Sequence, residues 1–301
     1  MTIIGGTTRV TPGIVSDQVQ ASLASNQLSI AQLEEQISSG QAISKPSDSP
    51  VGVVQAMSTQ AALSRGQQYV ANAQDGLGWL GAANTALSSS VTQLDQIRNI
   101  ALQAGSATSQ PATYADLAQQ VQGIRQELLS AANTTYLNRP VFAGTASTTQ
   151  AYDSSGNYLG SGNAPTRTVA PGTSLPVSVT APFGSGANSV FAAVDKIISD
   201  LKSGTPASIA NVTGGDLSSL DTAISTLSTA AGQVGETYQQ MQYLSDQAVA
   251  ANQTLSTQLS SLQDVNLAQA ASQLQMQQNS YQAALWAASK VIQNSLLQYL
   301  A

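Results

Sequence analysis

The 301-residue chain contains no cysteine and no histidine. Disulfide staples are therefore excluded, as are a thiolate nucleophile, an imidazole base and any Cys/His metal centre. Basic residues are also scarce, ten Lys and Arg against sixteen Asp and Glu, for a net charge of −6. Phosphate backbones need clustered cations, so no nucleic-acid partner is expected. Only three Phe and two Trp are present. An apolar complement dominated by Ala, Leu, Val and Ile suits slender helical packing better than a thick core. No apolar run is long enough to span a bilayer, so no membrane insertion is expected. Residues 1–10 lack a basic-flanked apolar segment, and export is expected to proceed without a cleaved signal peptide. There is no P-loop, no dinucleotide fingerprint and no Gly-x-Ser-x-Gly. Glu34-Glu35 reads as a solvated helix face, and Asp48 and Asp153 as turn carboxylates. The sequence thus predicts no catalytic residue, no cofactor and no metal, and a protein that is not an enzyme.

What the chain does have is apolar seams. Residues 256–300 contain neither Pro nor Gly and only two charges, Asp264 and Lys290. Leu259, Leu262, Leu267, Leu274, Tyr281, Leu285, Ile292, Leu296 and Tyr299, with Leu297 beside them, recur at helical spacing and predict one long stripe. Such a helix runs roughly 60 Å and needs a partner of similar length. The expected partner is the other end of the chain, and then other subunits. There a helix from Ile14 carries Val19, Leu23, Ile30, Leu33 and Ile37 on a heptad seam, with Asn26 at the intervening core position. Asn26 reads equally as a register device or as a solvated gap. Gly40 makes a C-terminal stop. The stretch Pro46-Ser47-Asp48-Ser49-Pro50 predicts an ordered bend. In it Ser47 or Asp48 would cap the next helix, with Pro50 at its first position.

From Val51 a helical pattern runs to about Ala104, with Gly76, Gly78 and Gly81 around Trp79 predicting close helix approach. After a loop at 105–111, a second helix is expected over 112–136, forming a helical hairpin. Residues 141–186 are rich in Gly, Pro, Ser and Thr. Tyr152 and Tyr158 flank a strand–turn–strand signal, and Val177 and Val179 alternate like a half-buried strand. Helix returns at 190–201, followed by a Gly-rich loop over 204–215. A long helix from Asp216 is expected to bend near Ala250 into the terminal stripe. The predicted fold is mainly α: an elongated rod of long antiparallel helices, with terminal coiled-coil helices and a small β insertion domain. The expected domains are 1–42 with 256–301 (coiled coil), 43–140 with 189–255 (helical bundle), and 141–188 (β insertion).

Several short motifs, in order and near both ends, resemble the flagellin superfamily, most closely its hook–filament junction branch. They are Arg9-Val10-Thr11-Pro12, Gln36-Ile37-Ser38-Ser39-Gly40 with the Pro46–Pro50 bend, Ala132-Asn133-Thr134, and Phe142-Ala143-Gly144. Asp264-Val265-Asn266-Leu267 and Ser295-Leu296-Leu297-Gln298-Tyr299-Leu300 complete the set. The resemblance implies an extracellular structural part of the bacterial flagellum, exported through the flagellar type III route. It implies terminal helices that order on assembly into a ring of about eleven copies between hook and filament. A neighbouring hook-associated protein, flagellin, and an export chaperone on the C-terminal helix are the implied partners. A filament subunit of the same superfamily is the alternative.

Overall fold

The computed structural model describes the backbone of residues 12–106 and 111–300, and the side chains of these residues other than 12, 13, 15, 16 and 291–300. Among the described residues three α-helices are followed by four short strands and then four more α-helices: α1 (Pro12–Ser39), α2 (Pro50–Ser106), α3 (Pro111–Ala132), β1 (Thr135–Tyr136), β2 (Arg139–Pro140), β3 (Thr166–Ala170), β4 (Thr173–Pro176), α4 (Val190–Ser203), α5 (Pro206–Asn211), α6 (Leu217–Gln263) and α7 (Leu267–Leu300). The fold is mainly α with two small antiparallel sheets, β1–β2 and β3–β4. The chain divides into two compact units, Met1–Leu63 with Gln253–Ala301, and Ser64–Asn252.

The second unit holds a continuous hydrophobic core. On α2, Leu80, Leu87 and Leu94 recur every seven residues, and on α6 Leu220, Leu227, Val234 and Met241 do the same; all are fully buried or nearly so. A seven-residue apolar repeat keeps one face of each helix turned inward, as in coiled-coil packing. Leu117, Val121 and Leu128 of α3 and Val194, Ile197 and Leu201 of α4 join that core. All three phenylalanines of the chain gather with Tyr152: Phe142 lies 5.8 Å from Phe183, and Tyr152 lies 5.6 Å from both Phe183 and Phe191. These edge and tilted arrangements fasten residues 141–183 to α4. Burial pushes the Tyr152 phenol well above its ordinary range, and its oxygen accepts a hydrogen bond from the Phe183 amide at 3.2 Å. Arg125 of α3 grips Asp195 of α4 through Nε and Nη2, at 2.5 and 3.0 Å.

Close helix–helix approach around Trp79 is observed at one of the three glycines, Gly76, which faces α6; Gly78 faces β1. A β-carbon on Gly76 would come within 2.3 Å of the Met241 sulfur, and one on Gly78 within 2.2 Å of the Tyr136 hydroxyl, whereas Gly81 faces open space. Trp79 is buried, with the Tyr136 ring at 5.6 Å and the Arg139 guanidinium over its face at 5.8 Å. Tyr136 and Arg139 belong to the β1–β2 hairpin, whose two-residue turn is Leu137-Asn138, with φ of +48° and +61°.

Several expectations are corrected. The helix expected over 112–136 ends at Ala132, because Asn133 leaves the helix and bonds outward. Its side chain donates to the Tyr152 carbonyl and accepts from the Ala151 and Tyr152 amides, each at 2.9 Å. Residues 177–180 are not a strand; the ladder lies just before them and stops at Pro176. Ser178 instead buries its hydroxyl on the Val141 carbonyl. Tyr152 and Tyr158 form a single antiparallel bridge around the Asp153–Asn157 turn rather than two strands. The Gly-rich loop expected over 204–215 is mostly helical. Thr205 and Ser208 form a reciprocal capping box for α5, and a π-helical turn, Val212–Asp216, carries the chain into α6. Finally, α6 is not interrupted near Ala250. It runs to Gln263, and the break falls at Asp264–Asn266, so the terminal stretch is two helices.

Candidate functional site: the paired terminal helices and their bend

In the first unit, α1 and α7 pack antiparallel. Their seam has half-buried Val19, Leu23, Asn26, Ile30, Leu33 and Ile37 on α1. On α7 it consists of Ala270, Leu274, Gln277, Tyr281, Ala284 and Ala288, of which only Ala270 and Ala288 are buried. The spacing 4-3-4-3-4 is a true heptad face. Asn26 is a layer of this seam: its side-chain oxygen accepts from Gln277 Nε2 at 3.1 Å. One residue on, Gln27 Nε2 donates to the Tyr281 hydroxyl at 2.8 Å. A polar layer bridged across two helices penalises slippage, because a shift strands both groups. The single long stripe expected on the terminal stretch is corrected in part. Leu274 and Tyr281 face α1, but Leu267 and Leu285 are 54% and 42% exposed and lie off the seam. Ile292, Leu296, Leu297 and Tyr299 have side chains outside the described residues.

The bend closes this unit at one end. Gly40, at φ +73°, ends α1 by donating to the Gln36 carbonyl at 2.9 Å. Gln41 then bridges Asp264 antiparallel. The Val265 amide donates to the Gly40 carbonyl at 3.0 Å, and Gln36 Nε2 holds the Ala42 carbonyl at 3.0 Å. Pro46 sits at the second position of a β-turn closed by the Asp48 amide on the Lys45 carbonyl, at 3.0 Å. Ser47 occupies the third position and is exposed. The Asp48 carboxylate points back, accepting from the Lys45 and Ser44 amides at 2.9 and 3.1 Å. Those backbone donors hold its carboxyl below the usual range. Lys45 reaches Glu35 at 2.8 Å, which raises its ammonium above its ordinary value.

The cap of α2 is therefore neither Ser47 nor Asp48. It is Ser49, whose hydroxyl accepts from the Gly52 amide at 3.1 Å. Pro50 at the first helical position fixes the cap at the residue before it. Across the bend Asn266 does the same for α7, accepting from the Gln269 amide at 3.1 Å.

This unit carries little buried apolar side chain. Among the described residues its buried hydrophobics are Ala56, Ala270 and Ala288 alone. Larger apolar groups stand in the open: Leu28 on α1, Val51, Val54 and Met57 on the first turns of α2, and Met276 and Trp286 on α7. Trp286 is 76% exposed and Val51 79%. The stripe Val51-Val54-Met57 and the outward Trp286 went unread in the sequence, although the three-residue spacing at the start of α2 was the available signal. Among the described residues no group of three or more acidic side chains could hold a metal, and no helix is long and apolar enough to cross a membrane. What the geometry offers is an array of paired helices with uncovered apolar faces, the raw material of an assembly surface.

Residues 12–147, which include α1, the bend, α2 and α3, match the family described as bacterial flagellin N-terminal helical region. The chain is 28% identical over 154 residues to flagellar hook-associated protein 3 of Salmonella typhimurium, a match covering 50% of this chain and 49% of that protein. It is 30% identical over 128 residues to flagellar hook-associated protein 3 of Escherichia coli, covering 42% of this chain and 40% of that one. These matches span about half the length of those curated relatives or less. In fold, the chain resembles the crystal structure of the flagellar junction protein FlgL from Legionella pneumophila. The TM-score is 0.55 at 15% identity, over 71% of this chain and 99% of that one.

Proposed function

We propose that the chain is a structural component of the bacterial flagellum, a junction adaptor that joins the hook to the flagellin filament by ring-like self-assembly outside the cell. The observation that carries this reading is the first unit: a registered helix pair with almost no buried core of its own. Each Leu, Val or Met side chain covered on assembly contributes roughly 1.5–3 kcal/mol. Covering Leu28, Val51, Val54, Met57, Met276 and Trp286 gives association a large driving term, offset by the entropy of ordering the helices. The partners are further copies of the chain, a neighbouring hook-associated protein and flagellin. Before export the outer face of α7 is an aggregation hazard, and a chaperone that covers it is the expected cytoplasmic partner. Asn26–Gln277 and the 40–50 bend set the register and the end of the pair that is presented.

Deletion of the gene tests the reading, with electron microscopy of the cells and assay of flagellin in the medium. Hooks without filaments, with flagellin lost to the medium, are the expected result. Normal filaments contradict it. Loss of filaments with no flagellin in the medium assigns the chain instead to the filament itself.

A further inference from the structure

The break between α6 and α7 is not made by helix-breaking residues. From Glu236 to Leu300 the chain holds neither Pro nor Gly. Asp264, Val265 and Asn266 are middling helix formers, and none forbids a helix. Two helices that already exist on either side need no new nucleus to join, only a few residues added at one end. Intrinsic preference therefore permits a single helix through this point.

What interrupts it is a second segment of the same unit. In an unbroken helix the Gln263 carbonyl accepts from the Leu267 amide, and the Val265 amide donates to the Ser261 carbonyl. Here both groups are taken by residues 40–42. The Ala42 amide donates to the Gln263 carbonyl at 2.6 Å, and the Val265 amide donates to the Gly40 carbonyl at 3.0 Å. Gln41 bridges Asp264 between them. The helical ladder is intact on both sides of this clasp. The Asp264 amide still donates to the Ser260 carbonyl at 2.8 Å, and the Ala270 amide donates to the Asn266 carbonyl at 2.9 Å. The clasp in turn depends on Gly40, whose φ of +73° suits glycine and turns the chain out of α1. Buried or not, a backbone group freed from one partner seeks another. With residues 40–42 gone, closing the ladder supplies a partner to each of the two groups at once.

We infer that residues 40–42 divide α6 from α7, and that the two run as one helix over 217–300 whenever this clasp is released. The inference goes beyond the self-assembly reading and does not depend on it. It makes the form of the C-terminal limb a consequence of where α1 lies. A partner that draws α1 off α7 meets one uninterrupted helix, and the break returns when α1 and its clasp are laid back.

The full chain carrying Gly40→Pro together with Ala42→Pro tests this by NMR. A proline at position 40 cannot take a positive φ, and one at position 42 has no amide to give, so covalent geometry excludes the clasp. Backbone carbon shifts of residues 264–266 should be non-helical in the native chain and move to helical values in the variant. The amides of Leu267 and Ala268, which stand in the first turn of α7 without an intrahelical acceptor, should gain protection. Ala42→Pro alone, which keeps Gly40 and the end of α1, should show the same change in smaller measure. Adding Val265→Pro, which bars a helix through that point, should return the shifts to non-helical values. Shifts of residues 217–241 report that the rest of the fold is intact. Native or coil-like shifts at 264–266 in the two-proline variant, with 217–241 unchanged, overturn the inference and assign the break to residues 264–266 themselves.

Discussion

The two units use the same seven-residue spacing and reach different ends. In the second, the repeating positions of α2 and α6 hold Leu80, Leu87 and Leu94 and Leu220, Leu227, Val234 and Met241, all at most 1% exposed. In the first, large apolar residues of α1 such as Leu23, Ile30 and Leu33 share the seam with polar Asn26 and Gln277 and with three alanines, and every seam position but Ala270 and Ala288 stays half-buried. Spacing decides that helices pair; side-chain size and polarity decide whether the pair closes a core unaided. The second unit closes a buried core of its own. The first pairs its helices in register around little buried side chain.

Truncating one large side chain in each unit gives the widest predicted separation. Phe191→Ala removes the ring that packs on Tyr152 and Phe183, and is expected to cost about 3–5 kcal/mol in urea unfolding of the monomer. Leu274→Ala, on the half-buried seam, is expected to leave that same transition unmoved within about 0.5 kcal/mol. Equal losses would erase the distinction between the units.

A pH series sharpens the same contrast from the side of the second unit. Asp216, at the end of the π-helical turn, is 1% exposed, and its Oδ2 has no hydrogen-bond partner. Burial, and then the neighbouring Asp200, raise its carboxyl above the ordinary value; Lys196, 3.6 Å away and mostly exposed, opposes this only in part. A carboxyl whose folded pKa lies above its unfolded one binds more protons in the native state. Its contribution therefore favours folding at low pH and is lost as pH rises through the folded value. Asp216→Asn should raise Tm at pH 8 and leave it nearly unchanged at pH 4, measured by calorimetry. A uniform shift at both values would contradict the assignment.

Smaller effects probe the bend. Ser49→Ala removes the cap of α2 and should cost about 1 kcal/mol, read locally as faster amide exchange at residues 51–53. The smallest change in the monomer is expected from Trp286→Gln. It should alter monomer stability by no more than about 0.5 kcal/mol while weakening assembly measured by sedimentation. A monomer destabilised by this exposed change would mean that α7 already has a closed core.

The helices were legible because their seams are periodic, and the β-poor middle because Gly, Pro, Ser and Thr cluster there. Proline at residue 50 already implied a cap at Ser49, yet Ser47 and Asp48 compete for that role on residue type alone. The break at Asp264–Asn266 shows in the sequence only as a five-residue step from Leu262 to Leu267 in a stripe otherwise spaced by three, four or seven, and the interruption comes from Gln41 pairing with Asp264 and Asn266 capping α7. The off-seam Leu267 and Leu285 mislead for a related reason: large residues stand out in a sequence, while Ala270, Ala284 and Ala288, which face the partner helix, do not. The π-helical turn hides behind two glycines. The polar bridge from Asn26 to Gln277 needed both ends of the chain in one view.

Hydrogen–deuterium exchange on the purified monomer and on its assembled form tests the central claim most directly. Amides of 14–39 and 267–290 should exchange quickly in the monomer and become protected on assembly, while those of the buried faces of 73–104 and 217–241 stay protected in both. Terminal helices as strongly protected in the monomer as in the assembly would show that the first unit is complete without partners, and would contradict the account.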